Sequence, residues 1–386
     1  LAELDASGIR AAPPEAFADL SEDDAVGMAG DAMDDGDKEK ASAILERFDE
    51  AEARRAVEGD DARSDAPQST TEEIGDRYNI PHRYQDGIEL IDDIGEELDA
   101  IVICTPMHMH GDASIAALEA DIHTFVEKPL ALTLEDADQM VEAVRDSEAV
   151  AMVGYMKRYD EGFQAAADKL AGMDVTLVNN RVFAPDVGAM VNETYDIVYP
   201  DLPEEFIEES NQARQADGKH VLDTDDEGLV EAFDFHLESI CHDVNALRGL
   251  FGEIERIDQV TLQEGGDFLT TQFTFEGGEH CVLESATTDR GWYDEVIRAD
   301  TPTATLELEF SNPFVRNAPF EVSVKEGKSR VNETILMYSR EEPFKRELAE
   351  FIECAQSGSE PLTTFVDARA DLQVLVDLFT DATVDA

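Results

Sequence analysis

Apolar residues along this chain fall into two regimes. Up to about residue 155 they form short unbroken runs, 100–104 (AIVIC), 123–126 (HTFV) and 149–155 (AVAMVGY), each too short for a helix and each ending in a turn or a polar cluster. Between the first two, 113–120 has a helix composition, and Thr133-x-x-Asp136 is a capping box that opens a helix running to 144. Strand, helix, strand, helix, strand is the pattern of a parallel sheet whose strands are buried on both faces. Upstream, the same reading predicts a strand over 24–32 ending in Asp31, helices over 37–57, 72–78 and 88–94, and a strand at 82–84. The polar, aperiodic stretch 59–71 (GDDARSDAPQSTT) is expected to be an exposed insertion.

After a helix from 160 to 175 the period changes to two. Segments 175–184, 255–263, 268–275, 280–286, 303–310 and 321–325 alternate or are β-rich, with Gly265-Gly266 and Gly277-Gly278 at turns. Their short connections favour an antiparallel sheet. Residues 229–250 instead place Val230, Phe233, Leu237, Ile240, Val244 and Leu247 at helical spacing, which defines one buried face, with Asp234, Glu238 and His242 at i, i+4 and i+8 as a polar stripe beside it. Two helices, 344–355 and 366–379, close the chain. The expected architecture is an α/β domain over 1–158 followed by an α+β domain over 159–386 with an open, mainly antiparallel sheet. The acidic stretch 186–225 is a long connection within the second.

Charge changes the setting more than the fold. Asp and Glu number 89 against 29 Lys and Arg, a formal charge of -60. The acids are interspersed with periodic apolar positions, so the chain is expected to fold with an acidic surface whose self-repulsion requires screening by salt, as in the cytoplasm of an extreme halophile. Nucleic acid and anionic membrane are excluded as expected partners. The absence of a long apolar run or a signal peptide points to a cytoplasmic protein. Cys104, Cys241, Cys281 and Cys354 lie far apart, as core thiols do, and suggest neither a disulfide frame nor a zinc site.

The chemistry clusters where the short strands stop. Thr105, Pro106, His108 and His110 follow the first run, and Glu127-Lys128-Pro129 follows the second. In open α/β sheets that edge is where ligands bind. The H-x-H pair lacks a complete ligand set, so no metal is expected. Only nine of the 29 basic residues are lysines, which makes Lys128 conspicuous at the end of a buried strand.

TP-x-x-x-H at 105–110, EKP at 127–129 and VGYMKRYD at 153–160, in this order and spacing, resemble the glucose-fructose oxidoreductase/inositol dehydrogenase/MocA (Gfo/Idh/MocA) family of NAD(P)-dependent sugar and cyclitol dehydrogenases. The segment 238–252 (ESICHDVNALRGLFG) resembles the D-x-x-x-H-D helix of that family, with Glu238 where Asp is usual. The resemblance implies a Rossmann-like first domain and hydride transfer between a secondary alcohol of a sugar, cyclitol or related polyol and nicotinamide, with NAD favoured over NADP. Asp31, Thr105, Pro106, His110, Glu127, Lys128 and Arg158 would lie on the cofactor side, His110 capping or positioning the loop beneath the cofactor. His242 would be the base, Glu238 its orienting partner and Lys128 the cation on the alcohol oxygen. A homo-oligomer, dimer or tetramer, through the open sheet is expected, and the alternative function is a non-catalytic sugar-sensing regulator of the same fold. Trp292 and Tyr293, in the turn-like DRGWYDE, would line the substrate side, an oligomer contact or the core. No G-x-G-x-x-G turn is present, so the first strand and its glycine turn are expected to lie upstream of residue 1, and the chain alone to hold the dinucleotide weakly.

Overall fold

The computed structural model of the protein describes residues 62–64, 68–185, 191, 204–288, 290–313, 315–337, 340–380 and 383–384. Asp31, the strand expected over 24–32 and the helix over 37–57 lie outside the described residues. The chain divides into two compact units at Leu90/Ile91, so the boundary expected at 158/159 falls inside the second.

In the first unit, β1 (Ala62–Ser64) pairs in parallel with β2 (His82–Tyr84), and α1 (Gln68–Tyr78) joins them. The expected exposed insertion is therefore corrected. Part of it is a strand, and its last residues open a helix in which Thr70 and Thr71 are buried. The polar composition concealed this because threonine serves either setting. α2 (Gly87–Ile94) follows.

The second unit begins with β3 (Ala100–Ile103), α3 (His110–Glu119), β4 (His123–Glu127), α4 (Leu134–Asp146) and β5 (Ala151–Gly154). The three strands form a parallel sheet in the order β3-β4-β5. α4 starts as the capping box predicts, with the Asp136 amide donating to Thr133 Oγ1 at 3.0 Å. Alternate residues of β4 and β5 face opposite ways. Val126 and Val153 join the cluster that contains Leu118 and Met140, while Phe125 and Met152 pack with Phe351 on the other side. β3 departs from the expectation of burial on both faces, because Val102 is 51% exposed.

α5 (Glu161–Leu170), N-capped by Asp160, ends five residues sooner than expected. The remaining strands are β6 (Leu177–Ala184), β7 (Ile254–Gln263), β8 (Phe268–Phe275), β9 (His280–Thr287), β10 (Asp294–Asp300), β11 (Ala304–Phe310), β12 (Glu321–Glu326), β13 (Asn332–Met337) and β14 (Thr383–Val384). They form one sheet in the order β13-β12-β11-β10-β6-β9-β8-β7-β14, antiparallel except at β6/β9 and β7/β14. The sequence pattern missed β10 and β13 for different reasons. In β10 the inward face is Glu295, Ile297 and Ala299, and a buried glutamate breaks the alternation. β13 is an edge strand with almost no buried position, so no apolar period exists to be read.

Two long helices are consecutive, α6 (Glu204–Leu222) and α7 (Glu227–Phe251). α6 lies in what was expected to be an acidic connection. α7 buries all six apolar residues expected of it, each contributing roughly 1.5–3 kcal/mol as an upper estimate. Phe233 meets Phe379 of α9 (Phe365–Thr380) with ring centroids 5.4 Å apart. α8 (Pro343–Ser357) supplies Phe351. Cys241, Cys281 and Cys354 are buried thiols outside any disulfide, whereas Cys104, also outside any disulfide, is exposed. No helix among the described residues is long and apolar enough to cross a membrane.

Candidate functional site

The C-terminal ends of β3 and β4 are held together by one side chain. His110 opens α3, is 1% exposed, and places Nε2 2.8 Å from the Thr105 carbonyl oxygen and Nδ1 3.0 Å from that of Pro129. The loop carrying Thr105 and Pro106 is thereby tied to the loop carrying Glu127 and Lys128. With both ring nitrogens engaged by the protein's own backbone, His110 positions these loops rather than presenting a polar atom to a ligand. Burial lowers its proton affinity despite the facing carbonyls.

Thr105 Oγ1 is buried with no hydrogen-bond partner among the described residues, an orphan of the kind a ligand satisfies. Glu127 is half-buried, and desolvation raises its pKa. Its carboxylate lies across Gly154, where a Cβ would come within 3.2 Å of Oε2. Lys128 follows at the strand end and donates from Nζ to the Glu238 carbonyl oxygen at 3.0 Å, bridging the strand end to α7.

His242 lies one turn beyond Glu238 in α7. The Tyr155 ring meets its imidazole edge-on, with centroids 6.0 Å apart, and Nδ1 is buried without a hydrogen-bond partner among the described residues. Burial, then Lys128 and Lys157, hold its pKa well below the usual histidine value, so the ring is neutral near pH 7, the state that can accept a proton. Lys128 thus lies close enough to His242 for its charge to act on the imidazole. Glu238 is placed differently. Its carboxylate pairs with Arg214 of α6, whose Nε also donates to Asp234 at 2.7 Å, so the acid is directed to α6 rather than to the imidazole. α6 is held at a second point, where His108 Nε2 and Ser210 Oγ are 3.1 Å apart.

Arg158 is not brought to this group. Its guanidinium lies 3.3 Å from the Asn245 carbonyl oxygen and 3.7 Å from Asp367, beside a second buried pairing of Arg248 with Asp371. These contacts join α7 to α9 and give Arg158 a packing role. Trp292 is 61% exposed, while Tyr293 turns inward and donates to Glu295.

Sequence reasoning overlooked the buried charges behind His242. Lys157 and Glu295 form an ion pair with side chains 5% and 1% exposed, and Lys157 also lies 4.9 Å from the Phe310 ring centroid. Asn180 donates to Asp243 at 2.7 Å, and burial followed by the Glu295 carboxylate pushes Asp243 up to about 7. A charged residue alternating with Ile297 and Ala299 was the only available signal for Glu295. For Arg214 it was a lone arginine in a run of acids.

As a test of fit, the nicotinamide end of a dinucleotide finds an orphaned hydroxyl at Thr105 and a half-buried carboxyl and cation at Glu127 and Lys128. Asp31, expected at the ribose, lies outside the described residues. Comparison with known proteins bears on the fold and the cofactor class. The profile of an oxidoreductase family with an NAD-binding Rossmann fold matches residues 26–155. The chain is 25% identical over 319 residues to scyllo-inositol 2-dehydrogenase (NAD(+)) of Bacillus subtilis, a match covering 80% of this chain and 82% of that protein. It is also 61% identical over 62 residues to the Sec-independent protein translocase protein TatCt of Haloferax volcanii, covering 16% of this chain and spanning 9% of that protein. UDP-N-acetylglucosamine 3-dehydrogenase from Acidithiobacillus ferrooxidans has a similar fold, with TM-score 0.61, 15% identity and coverage of 83% and 89% of the two chains. The parallel sheet, the EKP strand end and the mainly antiparallel sheet that follows agree with the Gfo/Idh/MocA oxidoreductase family, whose NAD-binding Rossmann model residues 26–155 match.

Proposed function

We propose that the protein oxidises a secondary hydroxyl of a cyclitol, sugar or related polyol, with NAD as hydride acceptor. The observation that carries this reading is the approach of Lys128 to α7, where its ammonium hydrogen-bonds one turn from His242. Hydride transfer from a secondary alcohol needs a base for the hydroxyl proton and a positive group near the oxygen as charge develops. Lys128 holds that oxygen and makes it more acidic, and the neutral His242 takes the proton. The bound dinucleotide supplies the acceptor for the hydride. Thr105, Glu127 and Lys128 hold its nicotinamide end, while His110 keeps their two loops at fixed spacing. NAD is favoured over NADP because the Asp31 carboxylate would repel a 2′-phosphate.

The test is NADH formation on a panel that includes scyllo-inositol, myo-inositol and common hexoses. Lys128→Met and His242→Ala should each lower kcat by on the order of 10² or more with the fold intact, and should be non-additive because both act on one hydroxyl. A wild-type protein that binds a polyol and NAD but never turns them over is a sensor instead.

A further inference from the structure

The α6 strap puts a cation at the site that the chemistry described above does not use. Arg214 is 29% exposed at its side chain and reaches both acids of the α7 stripe, Nε to Asp234 at 2.7 Å and Nη2 to Glu238. Among the described residues, Nη1 of Arg214 makes no hydrogen bond. Glu238 is half exposed, and its own backbone oxygen accepts from Lys128. The guanidinium and the Glu238 carboxylate therefore meet on α7 one helical turn from His242, at the residue whose backbone oxygen Lys128 reaches, with donor and acceptor capacity left over on adjacent atoms.

We infer that Arg214 is a specificity-determining residue. With Glu238 it forms a donor–acceptor pair that reads a hydroxyl neighbouring the one that is oxidised, and it thereby selects a neutral vicinal polyol. The inference deepens the dehydrogenase reading and rests on it.

Three features favour a neutral polyol over an anionic sugar. A hydroxyl both donates and accepts, so it is matched by a carboxylate and a guanidinium side by side, whereas a substrate carboxylate or phosphate needs donors alone. Arg214 already serves two carboxylates, and an anion would have to displace Glu238 and leave it beside a second negative charge. Residues four apart on a helix lie roughly 5–6 Å apart at Cβ, so Glu238 and His242 can engage different hydroxyls of one ring. The Asp234 contact has a separate role, since it fixes the guanidinium plane that a lysine could not reproduce.

The experiment compares the full-length protein with Arg214→Met and Arg214→Lys on scyllo-inositol, myo-inositol and their mono-deoxy analogues, following NADH formation. In the wild type, loss of the read hydroxyl should lower kcat/KM by on the order of tenfold or more, because the pair is left unmatched. Arg214→Met should raise KM for the parent polyol about tenfold with a smaller change in kcat, and should no longer distinguish parent from deoxy analogue. Arg214→Lys should behave like Arg214→Met, since charge without the planar fork does not restore the pair. NADH binding measured by fluorescence in each variant reports whether the fold and cofactor end are intact. A variant that binds NADH and keeps the wild-type preference against the deoxy analogue overturns the role of Arg214 alone. A wild type that turns over no polyol on the panel overturns the dehydrogenase reading, and the inference with it.

Discussion

Two charge clusters share the helix α7, and each groups one basic residue with an aspartate and a glutamate. The outer one joins Arg214 to Asp234 and Glu238, with side chains 27–51% exposed. The inner one joins Lys157 to Glu295 beside Asp243, all nearly or fully buried. Water separates their roles. The outer groups keep part of their hydration, so they can exchange a protein partner for a ligand at little cost, which suits recognition. The inner groups have lost their hydration, so each holds its partner in place and can exchange nothing. The inner cluster supports the wall behind His242, while the outer cluster forms an exposed rim, the place proposed above for substrate recognition.

The largest effect should come from breaking the inner pair singly. Glu295→Ala leaves the Lys157 ammonium buried without its main counter-charge and is expected to destabilise the fold by about 3–5 kcal/mol in denaturant titration. Lys157→Met combined with Glu295→Gln should recover much of that loss. A cost for Glu295→Ala no greater than that of Glu238→Ala would mean that the two clusters do not differ as described.

Titration separates the clusters next. Asp243, at about 7 in the folded protein, stands against about 3.9 for an aspartate in an unfolded chain. Between those values the folded state keeps a proton that the unfolded state has released. This group therefore makes stability fall as pH rises from about 4 to 7, with no further change above. Asp243→Asn should remove that contribution. Wild-type stability relative to the variant is then expected to decline across that window and to level off beyond it. A difference that does not vary with pH would show that Asp243 is ionised throughout.

The smallest effect distinguishes the clusters by salt. A double-mutant cycle on Arg214 and Glu238 should give a stability coupling of about 0.2–1 kcal/mol in dilute buffer that fades by about 1 M KCl, where exposed charges are screened within roughly 3 Å. The same cycle on Lys157 and Glu295 should be insensitive to salt. Against a formal charge of -60, the thermal midpoint of the whole protein should rise over the same range as self-repulsion is screened. Equal salt sensitivity of the two couplings would remove the distinction on which the recognition role of Arg214 depends.

Much of the fold could be read from local patterns. The runs at 123–126 and 149–155 are strands buried on both faces, Thr133 caps α4, and the spacing from Val230 to Leu247 gives the buried face of α7, because apolar period and capping are consequences of local geometry. Lys128 and His242 were also readable as candidates, since one stands at a strand end and the other on a polar stripe with helical spacing. The sequence did not indicate what lay opposite them. Glu238 was expected to orient His242, yet a helix hidden in the acidic connection brings Arg214 to it. His110, expected to cap or position a loop, ties two loops together, whereas Arg158, expected on the cofactor side, holds contacts between two helices.

What the sequence by itself determined was therefore the set of elements and the chemistry available at the strand ends, since periodicity, caps and turns act over a few residues. Tertiary structure decided which charges pair and which are dry. Glu295 lies 138 positions from Lys157, and Arg214 lies 24 from Glu238. An arginine, a glutamate or an aspartate carries no local mark of whether its partner will be another side chain in the core or a substrate at the rim, because burial, which sets the strength of that choice, exists only once the chain has closed around it.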